Sequence, residues 1–326
     1  YSRQLDLNTA IAGVSYTVNG VKFKREVFSS ALDQVIVVRL TADKPGSISF
    51  STTLSGIANV KPPGDEKFST EVLPKGELVL SGKTASYCDI EGRVRYQGRV
   101  RVLNEGGQLA TTKDAVSVTG ADAATLLIVA ATSFNRYDDI SADPEKRAKE
   151  YMDWVDNRTL DRLLTRHLES HKDLFDRVQI SLPATEASTR PTDERLRTYD
   201  PVKDPQLMAL MFQYGRYLLL GSSRPGGQPA NLQGIWNEDM NPAWECKYTA
   251  NINVQMNYWP AEAAGLQECV DPLVQMVREL SETGTKVAQV HYGARGWVFH
   301  QNSDLWRAAA PMDGPTWGTF SVGGAW

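Results

Sequence analysis

The sequence predicts a multidomain β + α protein, an antiparallel β-sandwich followed by helical structure. Three observations carry that reading. Short strand runs separated by turn residues fill the first 140 residues; a capped, charged helical pattern begins at Asp143-Pro144; and a strongly apolar helix follows Asp204-Pro205. Domain bounds follow at 1–140 for the sandwich, 141–203 for a helical linker and loop, and 204–326 for the helical domain.

The strands are read in order. Val14 to Val18 and Val21 to Phe28 flank Asn19-Gly20. Both turn residues tolerate the positive φ of a type I′ turn, so this is a hairpin. Further strands are predicted over Gln34–Thr41, Gly46–Thr53, Glu77–Leu80, Arg93–Leu103, Ala115–Thr119 and Thr125–Thr132. Turn signals lie at Lys44-Pro45-Gly46, Pro62-Pro63-Gly64 and Glu105-Gly106-Gly107. Many short strands with no helix between them imply an antiparallel sandwich. Arg93, Arg95, Arg99 and Arg101 alternate and read as a solvated face.

The period then changes. Pro144 suits a first helical position with Asp143 as its cap. Trp154, Leu160, Leu163, Leu164, Leu168, Leu174 and Phe175 recur near helical spacing to about Val178. His167 and His171 are four apart, a spacing that could suit zinc, but no third ligand is evident and a packing role is preferred. Residues 181–203 read as a linker or long loop. Asp204-Pro205 opens a helix to Leu220, stopped by Gly221, with so little polar face that burial is expected. Asp271-Pro272 opens another, with Leu273, Val277, Leu280 and Val287 on one stripe and Gly293 at its end.

Composition removes several function classes. The 326 residues are 41% hydrophobic and 23% charged, with net charge −4 and pI about 5.7. Nucleic acid and anionic membrane both reward a basic excess that is absent here. There is no run of 18 apolar residues, hence no transmembrane helix. Cys88, Cys246 and Cys269 are too far apart for a zinc or redox motif. No metal and no cofactor are expected. The chain starts at Tyr1 without Met and stops on an apolar run to Trp326, as expected of an internal piece of a longer protein. The lack of a signal peptide therefore says nothing about secretion.

Residues 231–260 are the chemically loaded segment, rich in Asn, Trp and Tyr. Asn offers donor and acceptor to vicinal sugar hydroxyls, and aromatic faces stack on a sugar ring. The blander alternative is loop-building and core cover. An extended backbone through Asn251-Ile252-Asn253 would aim both amides at one face, with Gln255 and Asn257 continuing the row.

Three strings resemble glycoside hydrolase family 95: Asn231-Leu232-Gln233-Gly234-Ile235-Trp236-Asn237, the run from Asn251 to Glu262, and the run from Gly296 to Trp306. Residues from Arg3 through Tyr16 are similar to that family's N-terminal sandwich. The resemblance implies an incomplete β-sandwich, a helical linker and the first part of an (α/α)6 barrel. It further implies an inverting, exo-acting α-L-fucosidase releasing terminal, typically α-1,2-linked fucose, or an α-L-galactosidase. In the family a pair of asparagines, polarised by an aspartate, holds the attacking water; these match Asn251 and Asn253. Thr249 matches the position that reads the sugar's C5 substituent, where Thr leaves room for a hydroxymethyl group. His300, Trp236 and Trp326 are expected near the sugar, while Trp236, Trp244 and Trp259 are evenly balanced between sugar platform and core cover. Glu238, Asp239, Glu245, Asp304 and Asp313 are expected to structure loops. The family's general-acid Glu and activating Asp match nothing here, so the isolated chain is expected to be inactive. A secreted, periplasmic or cell-surface location is implied as well. A non-catalytic carbohydrate-binding protein and a glycoside phosphorylase remain as alternatives.

Overall fold

The computed structural model describes residues 1–56, 68–86 and 89–325. The Pro62-Pro63-Gly64 turn, Cys88 and Trp326 lie outside the described residues. The chain divides into two compact units, Tyr1–His171 and Lys172–Trp326.

The first unit contains strands β1 (Ser2–Asp6), β2 (Ile11–Val18), β3 (Val21–Ser30), β4 (Val35–Ala42), β5 (Ile48–Thr52), β6 (Phe68–Leu73), β7 (Glu77–Lys83), β8 (Arg95–Glu105), β9 (Gln108–Thr111), β10 (Val116–Ala121) and β11 (Ala123–Thr132). One antiparallel sheet runs β1-β2-β3-β4-β11-β8-β7-β6, and a smaller one runs β5-β10-β9. Asn19 and Gly20 turn at φ 50° and 78° between paired Val18 and Val21, the expected hairpin. β1, β6 and β9 had no sequence signal. All three are edge strands, and β1 is exposed throughout. An edge strand without a buried face shows no alternation to read.

The large sheet is buried on both faces. On one side Ile48, Val116 and Val118 of the small sheet meet Leu78, Val100 and Val102. On the other, Val37, Leu127 and Val129 meet Met152, Val155 and Leu163. Each such side chain contributes roughly 1.5–3 kcal/mol on burial. The helical cover is α1 (Pro144–Asp156), which runs on towards α2 (Leu160–Phe175). Asp143 caps α1, its Oδ1 accepting from the amides of Glu145 and Lys146 at 3.0 and 3.1 Å. Residues 141–171, expected as linker, thus pack with the sandwich.

Two readings are corrected or resolved here. Arg99 and Arg101 are not solvated: their side chains are 12% and 10% exposed, both paired with buried Glu77, and Arg101 also reaches Asp156 of α1. Two arginines facing two carboxylates, Glu77 and Asp156, balance in charge under the helix. His167 and His171 are packing residues. His167 ring nitrogens lie 3.1 Å from the Ser29 carbonyl and 2.7 Å from that of Thr9, and His171 Nε2 lies 2.8 Å from the Leu7 carbonyl.

The second unit contains α3 (Thr192–Arg197), α4 (Gln206–Ser222), β12 (Tyr248–Thr249), α5 (Asn253–Tyr258), α6 (Asp271–Tyr292), β13 (Asn302–Ser303) and α7 (Pro315–Gly318). The barrel expectation is met in part, by two long helices among short ones. The 181–203 stretch is not a bare loop, since it holds α3 and a turn at Glu186–Thr189. Asp204 does not cap α4; it grips Arg195 through two 2.8 Å bonds, both groups buried. α4 continues past Gly221, where a Cβ would come within 2.8 Å of the Trp236 ring. Glycine is there for close approach rather than to stop the helix. Nor is α4 wholly buried: Met208, Met211 and Tyr214 are exposed. Its buried Arg216 donates to the carbonyls of Leu174, Phe175, Val178 and Ala264. Gly293, at φ 58°, ends α6 as expected.

Candidate functional site

The site is built on a two-strand clasp. β12 and β13 pair antiparallel, Tyr248 opposite Ser303 and Thr249 opposite Asn302. Buried Thr249 donates its hydroxyl to Asn302 Oδ1 at 2.6 Å, and the Ala250 amide donates to the Gln301 carbonyl at 2.6 Å. The chain then turns at Asn251 and Ile252, and Asn253 opens α5. The extended row of amides is therefore corrected. Helix formation rotates Gln255 and Asn257 away to fix backbone: Gln255 Nε2 donates to the Ala250 carbonyl, and Asn257 Nδ2 to that of Asn231 at 2.9 Å. The Tyr258 hydroxyl accepts from the Ala230 amide at 2.8 Å, holding the 230–234 loop against α5.

Asn251 and Asn253 still come together. With Thr249 they line one cavity of about 420 Å³, whose wall also carries Gln233, Gln301 and Trp244. Both asparagines are exposed. Gln301 Oε1 is buried at this wall without a hydrogen-bond partner, and Ser303 Oγ and Gln255 Oε1 nearby in sequence are likewise unmatched. Buried acceptors without donors are costly unless a ligand or water meets them. Gln301 and Gln233 were not singled out from sequence, because lone glutamines carry no spacing signal. Only the pairing of β12 with β13 brings Gln301 to the asparagines.

The remaining candidates lie elsewhere. His300 is fully buried and off the cavity wall; its Nε2 lies 3.1 Å from the Tyr292 hydroxyl and its Nδ1 is unmatched. Burial, with a smaller effect of His291, lowers its pKa below the ordinary histidine value, so the ring is neutral near pH 7. Trp236 stacks on Tyr217 with ring centroids 5.7 Å apart, also off the wall. Trp244 instead sits on the wall, 74% exposed.

The cavity is neutral and polar. No carboxylate lines it among the described residues. Glu245 pairs with Lys247 at 2.8 Å, and Asp304 Oδ1 accepts from the Trp306 and Ala308 amides. Those are the loop-structuring roles expected of them. Burial pushes the Tyr248 phenol up to about 12, so it stays protonated. Such a lining can bind hydroxyl groups and hold a water; it has no group able to donate a proton to a leaving oxygen. No cluster of three His, Cys, Asp or Glu suited to a metal occurs among the described residues, and no helix there is long and apolar enough to cross a membrane.

Residues 159–326, just over half the chain, match the profile described as the glycosyl hydrolase family 95 catalytic domain. Residues 1–137 match that of the glycosyl hydrolase family 65 N-terminal domain. Over its whole length the chain is 38% identical to "Alpha-L-fucosidase 2" of Arabidopsis thaliana and 30% to "Probable alpha-fucosidase A" of Aspergillus niger. It spans 41% and 42% of those relatives' lengths. A solved structure named as a kojibiose phosphorylase from the human microbiome shares the fold over 94% of this chain and 38% of its own, with TM-score 0.59 and 13% identity.

Proposed function

This chain belongs to glycoside hydrolase family 95, and on that footing we propose that its cavity is the sugar-binding half of an active site hydrolysing terminal α-L-fucosides. The carrying observation is the convergence of Thr249, Asn251, Asn253, Gln233 and Gln301 on one pocket. The names of the relatives support the substrate class.

In this reading Asn251 and Asn253 hold the attacking water. An amide is a poor base, so a carboxylate from outside the lining polarises the pair, and a carboxylic acid on the opposite side protonates the leaving oxygen. Water delivered opposite to the acid inverts the anomeric centre. Because the lining has no carboxylate, residues 1–326 alone bind the sugar without turning it over. The natural bond is α-1,2, and the setting is secreted, periplasmic or cell-surface, both proposed from family membership. The small Thr249 side chain at the buried wall favours a second substrate, α-L-galactose, whose C5 hydroxymethyl it leaves room for.

Calorimetric titration of this chain tests the reading. L-Fucose should bind, D-fucose should bind at least tenfold more weakly, and Asn251→Ala with Asn253→Ala should abolish binding. A folded chain that shows no stereoselective, asparagine-dependent binding overturns it. In a polypeptide of the relatives' length, Asn253→Ala should lower kcat about 10²- to 10⁴-fold, the usual scale for losing proton-transfer assistance.

A further inference from the structure

Trp244 stands apart from the other exposed tryptophans. Trp259 and Trp317 are comparably exposed but do not line the cavity. Isolated apolar groups on a surface need no explanation. Trp244 combines exposure with two further features.

The first is its place on the cavity wall. Trp244, 74% exposed, shares that wall with buried Thr249 and with Asn251 and Asn253. A terminal sugar whose hydroxyls meet Thr249 and the asparagines leaves the indole for the residue to which it is linked.

The second is its backbone. Trp244, Glu245 and Cys246 have φ of 58°, 50° and 48°, three successive left-handed residues without a glycine among them. Side-chain-bearing residues rarely adopt this conformation singly, and a run of three persists only when neighbours over-determine it. Here they do. The Glu245 amide donates to the Pro242 carbonyl at 3.0 Å and that of Lys247 to the Trp244 carbonyl at 3.2 Å. The Leu232 amide donates to the Lys247 carbonyl at 3.2 Å, and the Cys246 thiol to Gln233 Oε1 at 3.3 Å. The turn is thus tied to the 231–234 loop that forms another part of the same wall.

We propose that this left-handed turn presents Trp244 as an aromatic platform for the sugar next to the terminal one, so that Trp244 selects what the terminal sugar is attached to. The inference rests on the sugar-binding reading of the cavity. The apolar C–H face of a pyranose stacks on the indole, whose two side-chain torsions leave little freedom to lose on binding.

Calorimetric titration of the 326-residue chain with L-fucose and with L-fucosyl-α-1,2-galactose tests it, using Trp244→Phe, Trp244→Ala and Trp244→Gly. The unaltered chain should bind the disaccharide about 3- to 10-fold more tightly than L-fucose, the scale of one aromatic contact. Trp244→Ala should lose that difference while leaving the L-fucose affinity within about twofold, and Trp244→Phe should keep part of it. Trp244→Gly suits the left-handed backbone, so the same loss there assigns the effect to the ring. An unchanged disaccharide preference in Trp244→Ala and Trp244→Gly overturns the platform, as does equal binding of the two sugars by the unaltered chain; in both cases the sugar-site reading stands. If a folded chain binds neither sugar, both readings fall.

Discussion

The two units handle polar groups in opposite ways. In the sandwich unit, Glu77 matches two buried arginines, both His167 nitrogens meet carbonyls, and Arg101 Nε is the one unmatched buried side-chain atom among the described residues. In the second unit Gln255, His300, Gln301 and Ser303 each leave a buried atom unmatched. Backbone strain divides similarly. In the sandwich, positive-φ residues with side chains such as Asn19, Gln34 and Lys75 are scattered, whereas three run together at Trp244–Cys246. A region that satisfies its own groups has little left to offer a ligand. The second unit gives up stability at these buried atoms and in the Trp244–Cys246 turn, and it is the unit that carries the polar cavity.

That contrast can be broken most severely at Arg216. Replacing it with Met leaves the carbonyls of Leu174, Phe175 and Ala264 without their donor, at a cost of about 3–5 kcal/mol to the second unit. Urea unfolding followed by amide exchange should show residues 172–326 melting early, with the sandwich unchanged. Equal loss in both units would contradict the separation.

A milder probe is pH. Folded His300 titrates below its ordinary value of 6.5, whereas the unfolded ring titrates near it. The unfolded state therefore binds the extra proton first as pH falls. The stabilising contribution is fully present above about 6.5, declines below that, and levels off once the folded ring also protonates. Thermal melts from pH 7.5 to 5 should show the second unit losing stability, and His300→Gln should flatten that slope. The smallest effect belongs to the sandwich. Gly20→Ala forces a side chain into φ 78° and should cost it about 1 kcal/mol, read as a lower denaturant midpoint with the cavity's sugar binding unaltered.

Legibility in the sequence follows the same division. Where strands bury apolar side chains, as at β3, β4, β8 and β11, apolar and β-branched runs bounded by turn residues announce them, and the Asn19-Gly20 hairpin is legible to the residue. Edge strands β1, β6 and β9 bury too little to leave a pattern. Arg99 and Arg101 look like a solvated ribbon because their partner, Glu77, is distant in sequence and their helical cover comes later still. In the site, Asn251, Asn253 and Thr249 come from one short segment, and their shared cavity was foreseeable. The extended stretch nevertheless stops before Asn253, where α5 takes over. Gln301 was beyond reach, and so was the turn that carries Trp244, a residue the sequence leaves balanced between sugar platform and core cover. One depends on a strand pairing across some fifty residues, with Thr249 opposite Asn302, and the other on a backbone conformation that its residue types argue against.

The hydrogen bond between Thr249 and Asn302 has an evolutionary consequence. If position 249 tunes sugar preference, it does not do so alone, because a replacement without a hydrogen-bond donor strands a buried carbonyl oxygen on Asn302. The stranded acceptor costs roughly 1–3 kcal/mol, comparable to what a change in specificity could gain. Sugar preference set at position 249 would therefore be a two-locus trait. A lineage changing it would pass through position 302 first, or change both together, and the same substitution at 249 would have different effects in relatives that differ at 302.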